Sequence, residues 1–464
     1  MSEATSFEAY LKHLEEAVGH CARRSGLVSY CRGLMLPLAR KSIEPLAAHL
    51  EPERVGACHQ SLHHFIANSG WSDRALLDRV HEWVWPHMKP EKGWYWIIDD
   101  TGFPKQGKHS AGVARQYCGQ LGKQDNCQVA VSLSVATEQA SLPIAYQLYL
   151  PREWCDDPQR RQRAGVPNEV EFATKPQMAI HQLREAQGQL PGGMVLADAG
   201  YGNDTAFREA IRALGLSYAV GIQSSTRVWA PDTEPLPALS SHGRLGRPPQ
   251  LLRRAPGHEP VSVKELARAL DPSHYQTISW REGTRHRLSS RFAAVRIRIS
   301  HRDYWRTTLR DKEWLLIEWP KHESEPCKYW LSTSPEAASL KQLVATVKMR
   351  WRIERDYQDL KQEFGLGHFE GRGWRGFHHH ASLCIAAYGF LVAQRLMQSS
   401  TKKIDPLRLK STLPKNFIPQ GSPTRTTTCT RFHRKPALAY RSLHRAATSS
   451  MPPLFHPANE FMTQ

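Results

Sequence analysis

The sequence predicts an α/β fold: a mixed sheet with flanking helices, preceded by an all-helical N-terminal domain and interrupted by a mainly β insertion. Three observations predict it. Up to about residue 90, apolar residues recur at helical spacing. From Gly93, three strand-like runs follow one another. From about Lys175, helix and strand alternate until a Pro-rich stretch opens at residue 222.

In the N-terminal part, Phe7, Tyr10, Leu11 and Leu14 keep helical spacing, as do Ile43, Leu46, Ala47 and Leu50. HQSLHHFIANSGWSDRALLDRVHEWVW then reads as helix, a break at Gly70, a Ser72 cap and a second helix. That is the outline of a helix-turn-helix DNA reader, and equally of a plain packing hairpin. WYWIID, QVAVSLSVAT and LPIAYQLYLP form the three strands. A helix near Lys175 to Gly188, the strand GMVLAD, a helix around Ala206 to Leu214 and the strand SYAVGI follow. This order matches a ribonuclease-H-like arrangement better than a doubly wound Rossmann sheet.

Residues 222–334 read as the inserted, mainly β subdomain, with VRIRI, EWLLIEW and CKYWLST as strands. Helix resumes at about Pro335 and runs through Glu354, and a further helix spans His378 to Gln398. The predicted division is therefore a helical domain over 1–90, a sheet domain built from 91–221 and 335–398, the insertion, and a tail over 399–464. From 401 onward the tail holds eleven Lys/Arg against Asp405 and Glu460, a composition suited to non-specific phosphate contact.

Composition bounds the function. At 464 residues the chain needs two or three units, and 40% hydrophobic content with fourteen each of Trp, Tyr and Phe builds real cores. A formal charge of +18 points to a polyanionic partner, most simply nucleic acid. The nine scattered cysteines contain no C-x-x-C pair, which gives neither a zinc ribbon nor a disulfide framework. No secretory h-region and no apolar run of about 20 residues is present. A soluble, cytoplasmic, nucleoid-associated protein with reduced thiols is expected.

Three acids stand out. Asp100 follows the strand WYWII(D), Asp198 ends GMVLAD, and Glu354 lies on the late helix. Acids at the C-terminal ends of strands sit where ligands bind α/β sheets. Three convergent carboxylates suit Mg²⁺ or Mn²⁺, and two such ions roughly 4 Å apart can serve both sides of a phosphodiester displacement. Arg350 and Lys361, at i−4 and i+7 from Glu354, share its helix face and would hold phosphate charge. Taken alone, that face reads first as a solvated one with a single ion pair, and the two upstream aspartates shift the balance. Lys105, Lys108 and Arg115 follow Asp100 in a Gly-rich stretch that reads as a DNA-contacting loop.

On these residues the sequence resembles insertion-sequence transposases of the DDE superfamily, in the branch with a Y-x2-R-x3-E-x6-K signature and a β insertion before its third acid. Arg350, Glu354 and Lys361 keep the R-x3-E-x6-K spacing, while Val347 stands at the tyrosine position. IIDDTGFPKQGKHSAGVARQYCGQLGK and VLADAGYGND look like the blocks around the first and second aspartates. In such blocks the acid directly before Thr is catalytic, which selects Asp100 over Asp99. The resemblance implies a ribonuclease-H-like domain with two Mg²⁺ or Mn²⁺ ions on Asp100, Asp198 and Glu354. It implies cutting of element ends, transfer of their 3′-hydroxyls to target DNA, and synapsis of double-stranded ends by a homodimer. The rival readings are a DNA-binding relic without catalysis and a nuclease of the same fold that cuts without joining.

Other features weigh less. Asp100-Thr101-Gly102 matches the aspartic-protease tripeptide, but Phe103 follows and no second copy exists. The tryptophans of the insertion read mainly as its core. Arg244 with GRPP at 246–249 reads as linker. His378, His379 and His380 fan out around a helix and cannot share one metal.

Overall fold

The computed structural model describes residues 6–239, 250–282 and 287–401. The GRPP segment and the basic tail beyond 401 lie outside the described residues.

Five helices come first: α1 (Phe7–Val18), α2 (Cys21–Met35), α3 (Ile43–Leu50), α4 (Val55–His63) and α5 (Asp73–Val84). Ser6 and Ser72 cap α1 and α5 by accepting backbone N–H groups of Ala9 and Ala75. Between α4 and α5 the chain makes a wide π-turn over His64–Asn68. Helix, turn and helix thus stand where the sequence indicated them. The apolar side of α5 (Leu76, Leu77, Val80, Val84) is buried in the core.

The strands β1 (Tyr95–Pro104), β2 (Ala114–Cys118), β3 (Lys123–Ala136) and β4 (Ser141–Leu148) follow. After them come α6 (Arg152–Cys155), α7 (Pro158–Ala164), α8 (Lys175–Gln187), β5 (Met194–Ala197), α9 (Ala199–Gly202), α10 (Thr205–Ala213) and β6 (Tyr218–Ile222). β1 is antiparallel to β3 and parallel to β5, and β5 is parallel to β6, so the sheet is mixed. β4 pairs with the second half of β3, and β2 pairs with its first half.

The stretch after β6 supplies β7 (Arg227–Trp229), β8 (Val261–Ser262), α11 (Val263–Ala269), β9 (Gln276–Glu282), β10 (Arg287–Ile299), β11 (Glu313–Trp319) and β12 (Lys328–Ser332). These strands continue the sheet instead of forming a separate layer. β12 pairs with β6 from Tyr329↔Ile222 to Ser332↔Ala219, and β11, β10 and β7 follow outward. Of the tryptophans there, Trp229 is buried and donates to Asp303, whereas Trp305 is exposed.

Three helices close the described chain: α12 (Leu340–Lys348), α13 (Trp351–Gln362) and α14 (Trp374–Thr401). Where the sequence suggested one helix from about Pro335, the structure has two. At the junction, Met349, Arg350, Arg352 and Ile353 each bond to the carbonyl three residues back, which tightens the turn and re-aims the chain. α14 starts four residues earlier than expected, and every residue from Gly376 to Ala393 is buried. A helix apolar on all sides belongs inside a core, and one hydrophobic cluster joins it to α1, α2, α5, β4 and α13. Tyr10 donates to the Ala386 carbonyl at 2.7 Å within it. No helix among the described residues is long and apolar enough to cross a membrane.

α13 is fixed from three sides. Ile353 and Leu360 are fully buried, Tyr357 bonds Ser132 of β3, and the buried Asp356 accepts from Ser141 of β4 and Tyr388 of α14. The three histidines that open α14 are also buried. His378 takes the Leu148 N–H, His379 stacks on Trp71, and His380 bonds Tyr30, so none of them is exposed at the surface.

α9 lies hard against β6. A Cβ on Gly202 would stand 1.9 Å from the Gly221 carbonyl oxygen, a backbone atom that cannot turn aside. Gly202→Ala is therefore expected to destabilise the protein by about 1–3 kcal/mol or more, read as a lowered midpoint in thermal or urea melting. An unchanged midpoint would show that α9 can slide on the sheet.

Candidate active site

Strand alternation sorts the acids of β1. Tyr95, Ile97 and Phe103 pack into the core shared with α13 and α14, whereas Trp96 and Ile98 pack into the other core with α8 and α10. Asp99 and Asp100 therefore leave the sheet on opposite sides. Asp198 stands just past β5. Ile97 is paired with Leu196, so Asp99 and Asp198, each two residues further on, occupy the same level on the α13 side.

The side chains follow this geometry. Arg350, at the tight junction before α13, donates from Nη1 to Asp99 Oδ2 at 2.7 Å. Its Nη2 lies 3.6 Å from Glu354 Oε1, one helical turn on. Asp198 Oδ1 accepts the Gly200 N–H at 2.9 Å and so caps α9. Asp100, singled out by the resemblance, instead meets Lys175 Nζ at 2.7 Å, at the start of α8. Glu354 is 68% exposed, and among the described residues no three His, Cys, Asp or Glu side chains stand close enough to share one metal ion.

The electrostatics mark the cluster as charge-stressed. Burial pushes the Asp99 carboxyl up to about 6; Arg350 opposes this, and Asp198 and Asp100 add to it. For Arg350, burial favours deprotonation, but Asp99, Asp198 and Glu354 together hold its pKa above the ordinary value. The donor set is all oxygen and crowded with like charge, which suits a hard divalent cation. In this conformation Arg350 supplies the positive charge.

The predicted phosphate ligands part company. Lys361 Nζ bonds the Gly102 carbonyl at 3.1 Å and Gln120 Oε1 at 3.2 Å, and lies 5.0 Å over the Phe103 ring. Burial lowers its pKa. Lys105 Nζ bonds the Phe369 carbonyl at 2.5 Å, tying β1 to the loop before α14. Lys108 and Arg115 are exposed, and Arg115 lies on strand β2, not in a loop. Val347, at the signature's tyrosine position, is a buried core residue.

Two participants were not picked out from the sequence. Lys175 serves there only to mark the start of a helix. Tyr201 is buried, its hydroxyl has no hydrogen-bond partner among the described residues, and burial followed by Asp100, Asp99 and Asp198 raises its pKa well above the ordinary value. The only sequence cue was its place three residues after Asp198 in ADAGYG.

Comparison with known proteins gives the arrangement a context. Residues 13–287, more than half of the chain, match the family described as DDE superfamily endonuclease. That match takes in Asp99, Asp100 and Asp198 and ends before Glu354. The chain is 31% identical over 195 residues to the probable transposase for insertion sequence element IS701 of Microchaete diplosiphon, covering 42% of this chain. The alignment spans about half of that relative, 47% of its length.

Asp99 holds its proton more tightly folded than unfolded. Its contribution to stability is thus greatest below about 4 and falls as pH rises through about 6. Asp356, also pushed up to about 6 by burial, acts with the same sign, so carboxyl ¹³C resonances are the measurement that separates them. Arg350→Gln is expected to move the Asp99 titration above about 6 and to leave Asp356 unmoved. An unshifted Asp99 would mean that the ion pair does not set its charge.

Proposed function

The chain belongs to the DDE superfamily endonucleases, and from that membership we propose that it is a DNA transposase. On this reading it binds the ends of an insertion element, cuts phosphodiester bonds there and passes the freed 3′ ends to target DNA. The observation that carries the reading is Arg350, whose guanidinium links Asp99 on β1 to Glu354 on α13 and feels the charge of Asp198. It ties together acids that lie 255 residues apart at most (354 − 99), beside the inner strands β1 and β5 of a mixed sheet. The relative named for IS701 transposition and the +18 charge support the same reading.

Asp198, Glu354 and one of the two adjacent aspartates would hold divalent ions, Mg²⁺ or Mn²⁺, two in number. The Arg350 contact supports Asp99 as that third acid; the position directly before Thr101 supports Asp100. Bound there, such ions supply charge that activates a water or a 3′-hydroxyl and stabilises the leaving oxygen. The protein's own part is to place them and the strand. Glu354 turns in from solvent as Arg350 exchanges carboxylate for phosphate, since a guanidinium binds either in bidentate fashion. Lys361, already anchored to β1, lies one and a half to two turns further along the helix. With Lys105 committed to Phe369, Lys108 and Arg115 remain as exposed cations for the DNA backbone. A homodimer synapsing two duplex ends completes the proposal.

The test uses the full chain and a labelled duplex taken from the DNA flanking its coding sequence, in Mg²⁺ and in EDTA. Wild type is expected to nick only in Mg²⁺ and then to join the freed end to a second duplex. Asp198→Ala and Glu354→Ala should bind the duplex and not cut it. Asp99→Ala is expected to behave likewise and Asp100→Ala to retain cutting; the reverse would assign the first acid to Asp100. Binding by wild type without any cutting would replace the proposal with a non-catalytic DNA-binding protein, and cutting without joining with a nuclease.

A further inference from the structure

The hairpin of β2 and β3 carries Arg115, and its tip has had no part so far beyond the Gln120 contact to Lys361. β2 ends the sheet on that side, and the turn to β3 passes through Gly119 and Gly122, the latter at φ +65°. At this tip Tyr117 is 59% exposed and Leu121 42% exposed, unusual for large apolar side chains in this protein. Register sets the direction of Tyr117. Phe103 is paired with Gln128, and Tyr117 with Gln124, and these two β3 residues share one side of the sheet. Tyr117, and Arg115 opposite Asn126, therefore lie on the side that bears Asp99, Asp198 and Glu354.

The hairpin is also tied to the catalytic helix. Gln120 accepts from Lys361 Nζ at 3.2 Å, and Lys361 lies in the last turn of α13. An exposed aromatic ring thus follows the exposed Arg115 on β2, three residues before the Gln120 that holds the Lys361 ammonium. A flat apolar face flanked by cations has the chemistry of a nucleotide, a base on a phosphate backbone.

Resting on the transposase reading above, we propose that the β2–β3 hairpin receives the DNA end, with Tyr117 stacking on an unpaired base and Arg115 on the adjoining phosphate. The helix sets the spacing. Seven residues from Glu354 to Lys361 span about 10 Å, and one strand advances about 3.4 Å per nucleotide. A strand following the helix would thus bring the nucleotide beside Lys361 about three nucleotides from the one beside Glu354, and the stacked base is sought around that position.

The experiment places 2-aminopurine, one position at a time, over the first few nucleotides beside the cut in the same flanking duplex. Fluorescence is read on the full chain in Ca²⁺, and cutting in Mg²⁺. Wild type is expected to change the fluorescence most near the third position. Tyr117→Ala should abolish that change and slow cutting roughly five- to a hundredfold, with an unaltered melting temperature. Tyr117→Trp should restore both, and Arg115→Ala should weaken binding while keeping the signal at saturation. If Tyr117→Ala binds, cuts and fluoresces as wild type does, the hairpin assignment is overturned while the transposase reading stands. If the substitution changes only the oligomeric state in sedimentation, the exposed edge pairs with a second copy and the assignment is likewise overturned. Failure of wild type to bind or cut would overturn both.

Discussion

The site depends on how one guanidinium manages the repulsion among carboxylates. The Asp99 pKa is pushed up first by burial and then by the charges of Asp198 and Asp100, while Arg350 meets the charge of Asp99, Asp198 and Glu354 together. Arg350 relieves that repulsion, and it can do so because the chain breaks between α12 and α13. Four three-residue backbone bonds, from Met349, Arg350, Arg352 and Ile353, place Arg350 at the break, pointed back at β1 while still one turn from Glu354. In an uninterrupted helix the same residue would be one more rung on its face. The tight turn is thus an electrostatic device as well as a structural one.

That placement holds only if α13 cannot rotate, and its anchors explain why it does not. Asp356 is a buried carboxylate with two hydroxyl donors, one from β4 and one from α14. Removing either donor would leave a buried acceptor group less satisfied, at a cost of about 1–3 kcal/mol. α14 is itself enclosed by the N-terminal helices, with Gly389 letting α5 approach so closely that a Cβ would stand 2.6 Å from Val80. The helices that precede the sheet in sequence and the helix that bears Glu354 are consequently parts of one hydrophobic core.

What was legible in the sequence was local. WYWIID, QVAVSLSVAT and GMVLAD have the length and alternation of strands, Ser72 is a cap, and Arg350 to Glu354 is an i, i+4 pair; each became what its spacing indicated. What was not legible was long-range. The strands after β6 were readable, but their pairing with the main sheet closes a loop of more than a hundred residues, from Ala219 to Ser332. Nothing local encodes that. Strand β2 was hidden because ARQYC sits among glycines and is half exposed. The choice between Asp99 and Asp100 turns on which core each neighbour joins, and Trp96, Ile97 and Ile98 are equally apolar on paper. Only partners as distant as Lys175 and Arg350 separate the two acids.

The direction of α13 adds a final constraint. Glu354 lies in its first turn and Lys361 in its last, so each charge meets the end of the helix dipole that favours it, by about 0.3–1 kcal/mol. The positive end therefore points at the acids and adds to what Arg350 does there, while the negative end steadies a lysine whose burial works against its charge. On the proposed reading, a DNA strand lying along this helix would meet the acids at one end and a cation with an aromatic hairpin at the other. Turning the helix around would set a negative helix end against three carboxylates and leave Lys361 beside them. The sheet tolerates its acids because the helix arrives in this orientation.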